Sequence, residues 1–218
     1  MRTVIVANGT IDHPAQARAL ISSGDLLIAV DGGALHCLAL GVKPDVVIGD
    51  LDSLPDAHQS DLETSGVDFI VHPRDKDLTD LELALDYAIS KGAREILLLG
   101  LLGGRLDQTL GNLLLLSRQE WNRARLVVAH GYDRAYLVRS GEFISIKGQI
   151  GDLVSLIPLS PIISGVSIKG LKWPLSSAQI HFGSTLSISN EMVAPTARIE
   201  VGNGQLLVVH RQNSLDSK

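Results

Sequence analysis

Six apolar runs of strand length fall in the first 130 residues: Thr3–Ala7, Leu26–Val30, Val46–Ile48, Phe69–Val71, Glu95–Gly100 and Leu126–Ala129. They are apolar along their whole length and do not alternate with polar residues, which is the pattern of strands buried on both faces. Most stop at Gly, Asp or Pro. Helical candidates lie between them at Pro14–Ser22, Ala34–Leu40, Thr79–Lys91 and Asp107–Trp121. The third carries the clearest start signal, because Thr79-Asp80-Leu81-Glu82 has the Ser/Thr-x-x-Glu form of a capping box and Asp80 sits where the helix dipole favours negative charge. Lys91 and Gly92 mark its end. Buried strands separated by helices of this length predict an α/β domain: a Rossmann-like parallel sheet, right-handed crossovers, helices on both faces. Ligands of such sheets bind at the carboxyl ends of the strands.

From about residue 141 the texture changes. The stretch GEFISIKGQIGDLVSLIPLSPIISGVSIKGLKWPL and the rest of the chain are rich in Ser, Ile, Val and Gly, with frequent turn signals and no helical period. A smaller all-β domain of the β-sandwich type is expected there, giving domains at 1–140 and 141–218. The polar tail RQNSLDSK is expected to fray.

Several function classes drop out. The formal charge is −5 and the basic residues are scattered, so no electrostatic footprint for nucleic acid is present. Cys37 is the only cysteine, which removes an internal disulfide, a CxxC redox pair and a cysteine zinc site; it reads as a small buried hydrophobe. The seven histidines show no HxxH or HExxH spacing, and GxxxxGK[ST] is missing. The opening MRTVIVANGTIDHP breaks at Asn8, Gly9 and Asp12 before an export signal could form, and no run reaches the roughly 20 apolar residues of a membrane span. A cytoplasmic protein with no membrane partner is expected.

The chemistry gathers where the strands stop. Asp31-Gly32-Gly33 follows the second run, Gly49-Asp50-Leu51-Asp52-Ser53 the third, Arg74 to Asp80 precedes the capped helix, and LLGGRLDQTLGN follows the fifth. Singly, Asp31 or Asp80 reads as a turn or helix cap. Their recurrence after strands of one sheet is what caps alone would not require. On an extended backbone Asp50 and Asp52 point the same way, with Leu51 facing apolar surroundings. Such a hard-oxygen pair suits Mg²⁺, which is typically held by one or two carboxylates plus substrate phosphates. Gly103 and Gly104 allow close backbone approach, Arg105 offers a planar fork for phosphate oxygens, and Asp107 opens a helix whose first amides attract anions. Gln108 and Asn112, four residues apart, share one face of that helix, which continues as Leu113–Leu116 and is expected to be otherwise buried.

In this order Asp31-Gly32-Gly33, KPDVVIGDLDS (43–53), KDLTDLELAL (76–85), GGRLDQTLGN (103–112), GLKWPL (170–175) and SISNE (187–191) resemble the thiamine pyrophosphokinases along nearly the whole chain. The resemblance implies transfer of a pyrophosphoryl group from ATP to the hydroxyl of thiamine, giving thiamine diphosphate and AMP with Mg²⁺, in a homodimer. It implies that Asp31, Asp50, Asp52, Asp80 and Asp107 line the metal and polyphosphate site, with Asp50, Asp52 and Asp80 as metal ligands. Arg105 and Gln108 would stand beside them, and Gly32, Gly33, Lys76, Thr79 and Asn112 on the nucleotide side. Lys76 replaces a glutamine of the eukaryotic relatives, which suggests the bacterial branch. Trp173, from the neighbouring subunit, would pack on thiamine, and Ser189 and Asn190 would bond its aminopyrimidine edge. Asp80 and Asp107 both stay open as the general base. The rival reading is a non-catalytic nucleotide-binding sensor on the same fold.

Overall fold

The computed structural model describes residues 1–213. They form two compact units, Met1–Gly131 and a second from Tyr132 onwards.

The first unit contains β1 (Arg2–Val6), α1 (Pro14–Ala19), β2 (Leu26–Val30), α2 (Gly33–Ala39), β3 (Val46–Gly49), α3 (Asp56–Thr64), β4 (Asp68–Val71), α4 (Asp80–Ser90), β5 (Glu95–Leu99), α5 (Leu106–Leu115) and β6 (Arg125–His130). The strands run parallel in the order β6-β5-β1-β2-β3-β4. The chain builds outward from β1 to β4, then returns to lay β5 against the free side of β1. The order therefore switches direction between β1 and β5, the place in such a sheet where a ligand crevice is expected at the carboxyl ends of the strands.

Alternation of side chains explains the uninterrupted apolar runs. Val4, Val6, Leu27, Ala29, Val47, Leu97 and Leu99 form one core with Ala17, Ala34, Cys37 and Leu62 of the helices. The intervening Ile5, Ile28 and Ile48 are fully buried toward the opposite face, where α4 packs on β1, β2 and β3. Cys37 is wholly buried, and desolvation pushes its thiol up to about 12.

Two helices differ from the sequence reading. α3, DAHQSDLET, gives no apolar periodicity to find, because only Leu62 is buried. For α5 the sequence pattern predicts burial beyond its polar face. None of its residues is buried, and Leu106, Leu110 and Leu114 form an exposed row at four-residue spacing. A leucine-rich composition establishes that a helix forms but not that both its flanks are covered.

The second unit contains β7 (Asp133–Val138), β8 (Phe143–Lys147), β9 (Leu153–Pro158), β10 (Ile162–Lys169), β11 (Leu175–His181), β12 (Asn190–Glu191), β13 (Thr196–Glu200) and β14 (Leu206–Arg211). β12-β9-β14-β7 and β11-β10-β13-β8 are both antiparallel. Val138, Val154, Leu156, Leu206 and Val208 from the first set meet Ile144, Ile146, Ile163, Val166, Ile168 and Ile199 from the second in one sandwich core. The division between units falls at Gly131, ahead of β7, where the change of sequence texture puts it near Ser140. β7 pairs in register with β14, from Val138 opposite Leu206 to Asp133 opposite Arg211, and so distant a partner leaves no local signal. Arg211 of the expected frayed tail closes β14, while Ser214 to Lys218 lie outside the described residues.

Candidate active site

The crevice is a cavity of about 960 Å³ in the first unit, lined by the loops that leave the strands. Asn8 and Gly9 come from the end of β1, Asp31 from β2, and Asp50, Asp52 and Ser53 from β3. Arg74, Thr79 and Asp80 come from the approach to α4, and Gly103, Gly104, Arg105, Asp107, Gln108 and Asn112 from the β5–α5 segment. Residues far apart in the chain thus share one wall.

Close backbone approach makes this possible. Gly9 donates its N–H to the Gly100 carbonyl at 2.7 Å, and a Cβ on Gly9 would stand 2.4 Å from the carbonyls of both Gly100 and Leu102. A Cβ on Gly33 would meet the Val6 carbonyl at 2.0 Å, and one on Gly32 would meet the Asn8 carboxamide at 2.4 Å. Gly32 and Gly33 therefore seat the first turn of α2 against the tip of β1; they do not line the cavity themselves. Beneath the same tip the His36 ring nitrogen lies 2.6 Å from the Gly9 carbonyl.

The acidic loops are strained in places. Asp31 and Leu51 hold left-handed φ values of 46° and 65°, which ordinary residues rarely adopt. The extended geometry expected for Asp50-Leu51-Asp52 is therefore not what forms. The chain turns at Leu51, the Asp52 N–H donates to Asp50 Oδ1 at 3.1 Å, and Leu51 packs into the core while both aspartates face the cavity. The facing is as expected but arises from a side-chain-stabilised turn. Ser53 Oγ donates to Asp52 Oδ1 at 3.1 Å, and Arg74 approaches Asp52 at 4.0 Å.

Asp31 is the most perturbed of these groups. Burial, then repulsion by Asp80 and a hydrogen bond with it, then repulsion by Asp50 push its carboxyl up to about 7, against a weaker lowering by the Leu51 amide. Its Oδ1 is buried and lacks a hydrogen-bond partner. Gly49 makes room for that oxygen: a Cβ there would fall 1.6 Å from it. Lys76 lies 2.8 Å from Asp80 and offsets part of the charge. Thr79 Oγ1 accepts from the Glu82 amide at 3.3 Å, as the capping pattern requires, while the Glu82 carboxylate pairs with Arg118.

Arg105 and Asp107 form a two-point ion pair, with Nε to Oδ1 at 3.1 Å. Hydrogen bonding from Arg105 holds the Asp107 carboxyl below its ordinary range. One turn further on, the Asn112 carboxamide donates to the Leu101 carbonyl at 3.3 Å, tying α5 to the tip of β5.

In the second unit Trp173 is 57% exposed, and the Lys172 ammonium stands 5.1 Å from its ring centre. Ser189 is exposed with φ 59°, its N–H donating to Ser155 Oγ at 2.9 Å. Asn190 is buried, and its side chain bonds the backbone of Trp173.

The two units separately match the thiamin pyrophosphokinase catalytic domain over residues 17–129 and the thiamin pyrophosphokinase vitamin B1 binding domain over residues 144–206. The chain is 31% identical to a thiamine pyrophosphokinase of Bacillus subtilis, covering 96% of this chain and 98% of that one. The chain belongs to the thiamine pyrophosphokinase family. A crystal structure of the Bacillus subtilis protein has a TM-score of 0.86 at 27% identity, covering 98% of this chain and all of that one. The corresponding protein of Geobacillus thermodenitrificans gives 0.84 at 28% identity, with 99% of each chain covered. At 17% identity the Candida albicans structure shares the fold, with a TM-score of 0.80 over 97% of this chain and 89% of that one.

The donor set suits a hard cation. Asp31, Asp50 and Asp80 repel one another and leave an unpartnered buried oxygen. Among the described residues no three metal-ligating side chains converge tightly enough to chelate an ion alone, so phosphate oxygens of a substrate would have to complete the shell. Asn8, Ser53 and Arg74 also line the cavity; Ser53 and Arg74 belong to the loops named in the sequence but are given no role there, and Asn8 lies in none of those motifs. The Asn8-Gly9 pair after the first run carries the same strand-end signature as the acidic loops.

The Asp31 pocket has two testable consequences. Gly49→Ala should displace the Asp31 carboxylate and lower turnover by at least about tenfold, while far-UV circular dichroism stays native. Asp31 holds a proton in the folded protein that the unfolded chain gives up above its usual 3.8. Its contribution to stability is therefore full below 3.8, is lost progressively as pH rises toward about 7, and is gone above that. Asp31→Asn should thus gain stability relative to the parent chain as pH rises from about 4 to about 7 in urea titrations with EDTA present; parallel pH profiles would refute the assignment.

Proposed function

We propose that the protein transfers the pyrophosphoryl group of ATP to the hydroxyl of thiamine, releasing AMP, with Mg²⁺ as cofactor, and that it works as a cytoplasmic homodimer. The observation that carries this reading is the gathering of Asp31, Asp50, Asp52, Asp80, Arg105 and Asp107 from separate loops onto one cavity wall at the β1/β5 switch point.

Attack at the β-phosphorus needs the thiamine hydroxyl, that phosphorus and the departing AMP oxygen close to a line. Asp50, Asp52 and Asp80, completed by phosphate oxygens of the substrate and with Asp31 behind them, would hold Mg²⁺. The ion would supply neutralisation of charge on the polyphosphate. Gly103 and Gly104 let the backbone come close to the phosphates, the amides at the start of α5 would donate to them, and Gln108 extends that polar wall. Arg105 exchanges its fork from the Asp107 carboxylate to a phosphate oxygen, leaving Asp107 less neutralised. Until that exchange Asp107 is a poor proton acceptor, since Arg105 holds its carboxyl low, so it could take the hydroxyl proton only after the polyphosphate has drawn Arg105 away. Thiamine would lie on Trp173 beside Ser189; a thiazolium over an indole gains about 0.5–2 kcal/mol.

Incubation with ATP, Mg²⁺ and thiamine should yield AMP and thiamine diphosphate in equal amounts. ADP would mean an ordinary kinase, and retained nucleotide binding without turnover would mean a sensor. Asp50→Asn should lower AMP release by about a thousandfold or more with an unchanged melting profile, because it removes a charge on which the cation depends. Light scattering on the purified chain checks the dimer.

A further inference from the structure

We infer that Asn190 is a positioning residue that presents Trp173, and that it does not itself bind the aminopyrimidine of the acceptor. The Asn190 residue is 7% exposed, and its carboxamide engages the backbone of Trp173 from both ends. Oδ1 accepts from the Trp173 N–H at 3.1 Å, and Nδ2 donates to the Trp173 carbonyl at 2.7 Å. The second lone pair of Oδ1 is taken by the Glu191 N–H at 2.9 Å. An asparagine carboxamide has two acceptor sites and two N–H donors, so three of its four bonds are made inside the protein.

The arrangement fixes the backbone from which the Trp173 indole projects. Its ring is largely exposed, and the segment that carries it is laddered to the Asn190 strand on both sides. The Lys172 N–H donates to the Glu191 carbonyl at 2.9 Å, and the Val193 N–H to the Gly170 carbonyl at 3.0 Å. The Lys172 ammonium, 3.2 Å from the Glu191 carboxylate, stands over the ring. Asn190 closes the ladder at the residue that bears the ring. Ordering an exposed indole before the ligand arrives removes an immobilisation cost from binding, and the loss of that order reads out as a weaker KM.

This inference rests on the proposal that Trp173 takes thiamine, and the experiment separates the two. Trp173→Ala alone tests that reading: an unchanged KM for thiamine would reject it while leaving Asn190 to be judged by fluorescence. Of the two tryptophans, Trp121 is 1% exposed, so acrylamide quenching without substrate reports on Trp173, with Trp173→Phe as the blank. Asn190→Ala should change that quenching and raise the KM for thiamine by about tenfold, with kcat and the KM for ATP within about twofold. In a Trp173→Ala background it should add less than about twofold. Asn190→Asp keeps the acceptor and loses the donor, so it should fall between the parent and the alanine variant in quenching, and it serves if the alanine variant melts early. Unchanged quenching in both variants would overturn the inference, as would an Asn190→Ala penalty that disappears with a thiamine analogue lacking the pyrimidine amino group.

Discussion

Like charge held at short range organises the first unit. Asp31, Asp50 and Asp80 sit close enough that burial and mutual repulsion raise one of them to about 7, and Lys76 at Asp80 offsets only part of that charge. The apolar sheet beneath tolerates the repulsion, with Ile5, Ile28 and Ile48 wholly out of water and helices against both faces. Positive charge arriving there would relieve the repulsion, and the proposed magnesium nucleotide would bring it.

The glycines serve the same end. Gly9, Gly33 and Gly49 each mark a place where backbone or carboxylate occupies the volume of a missing Cβ. They set how near the strand tips come, and with that the spacing of the acidic groups. The strain at Asp31 and Leu51 lies between those fixed points, where the turn aims two aspartates outward and one leucine into the core.

Much of this is legible in the sequence because the first unit is local. Each strand, its terminal Gly or Asp and the next helix are contiguous, so apolar runs and caps locate β1 to β6 and most of the wall. The turn at Leu51 stays hidden because it depends on a side-chain bond from Asp50 and on packing behind it. α3 stays hidden because a single buried leucine makes no period. In the second unit the partners are distant: β7 finds β14, and Asn190 finds Trp173 across 17 positions. The motif flags Asn190 but says nothing of what its carboxamide touches.

The Arg105–Asp107 pair gives the cavity mouth a threshold. An exposed pair of this kind adds little to stability, yet any newcomer must outcompete a carboxylate already seated on the guanidinium fork. Monovalent anions, each offering about the same grip as Asp107, gain almost nothing by the swap. A polyphosphate that also engaged the neighbouring amides would gain, so the pair would select for multidentate anions over ambient salts.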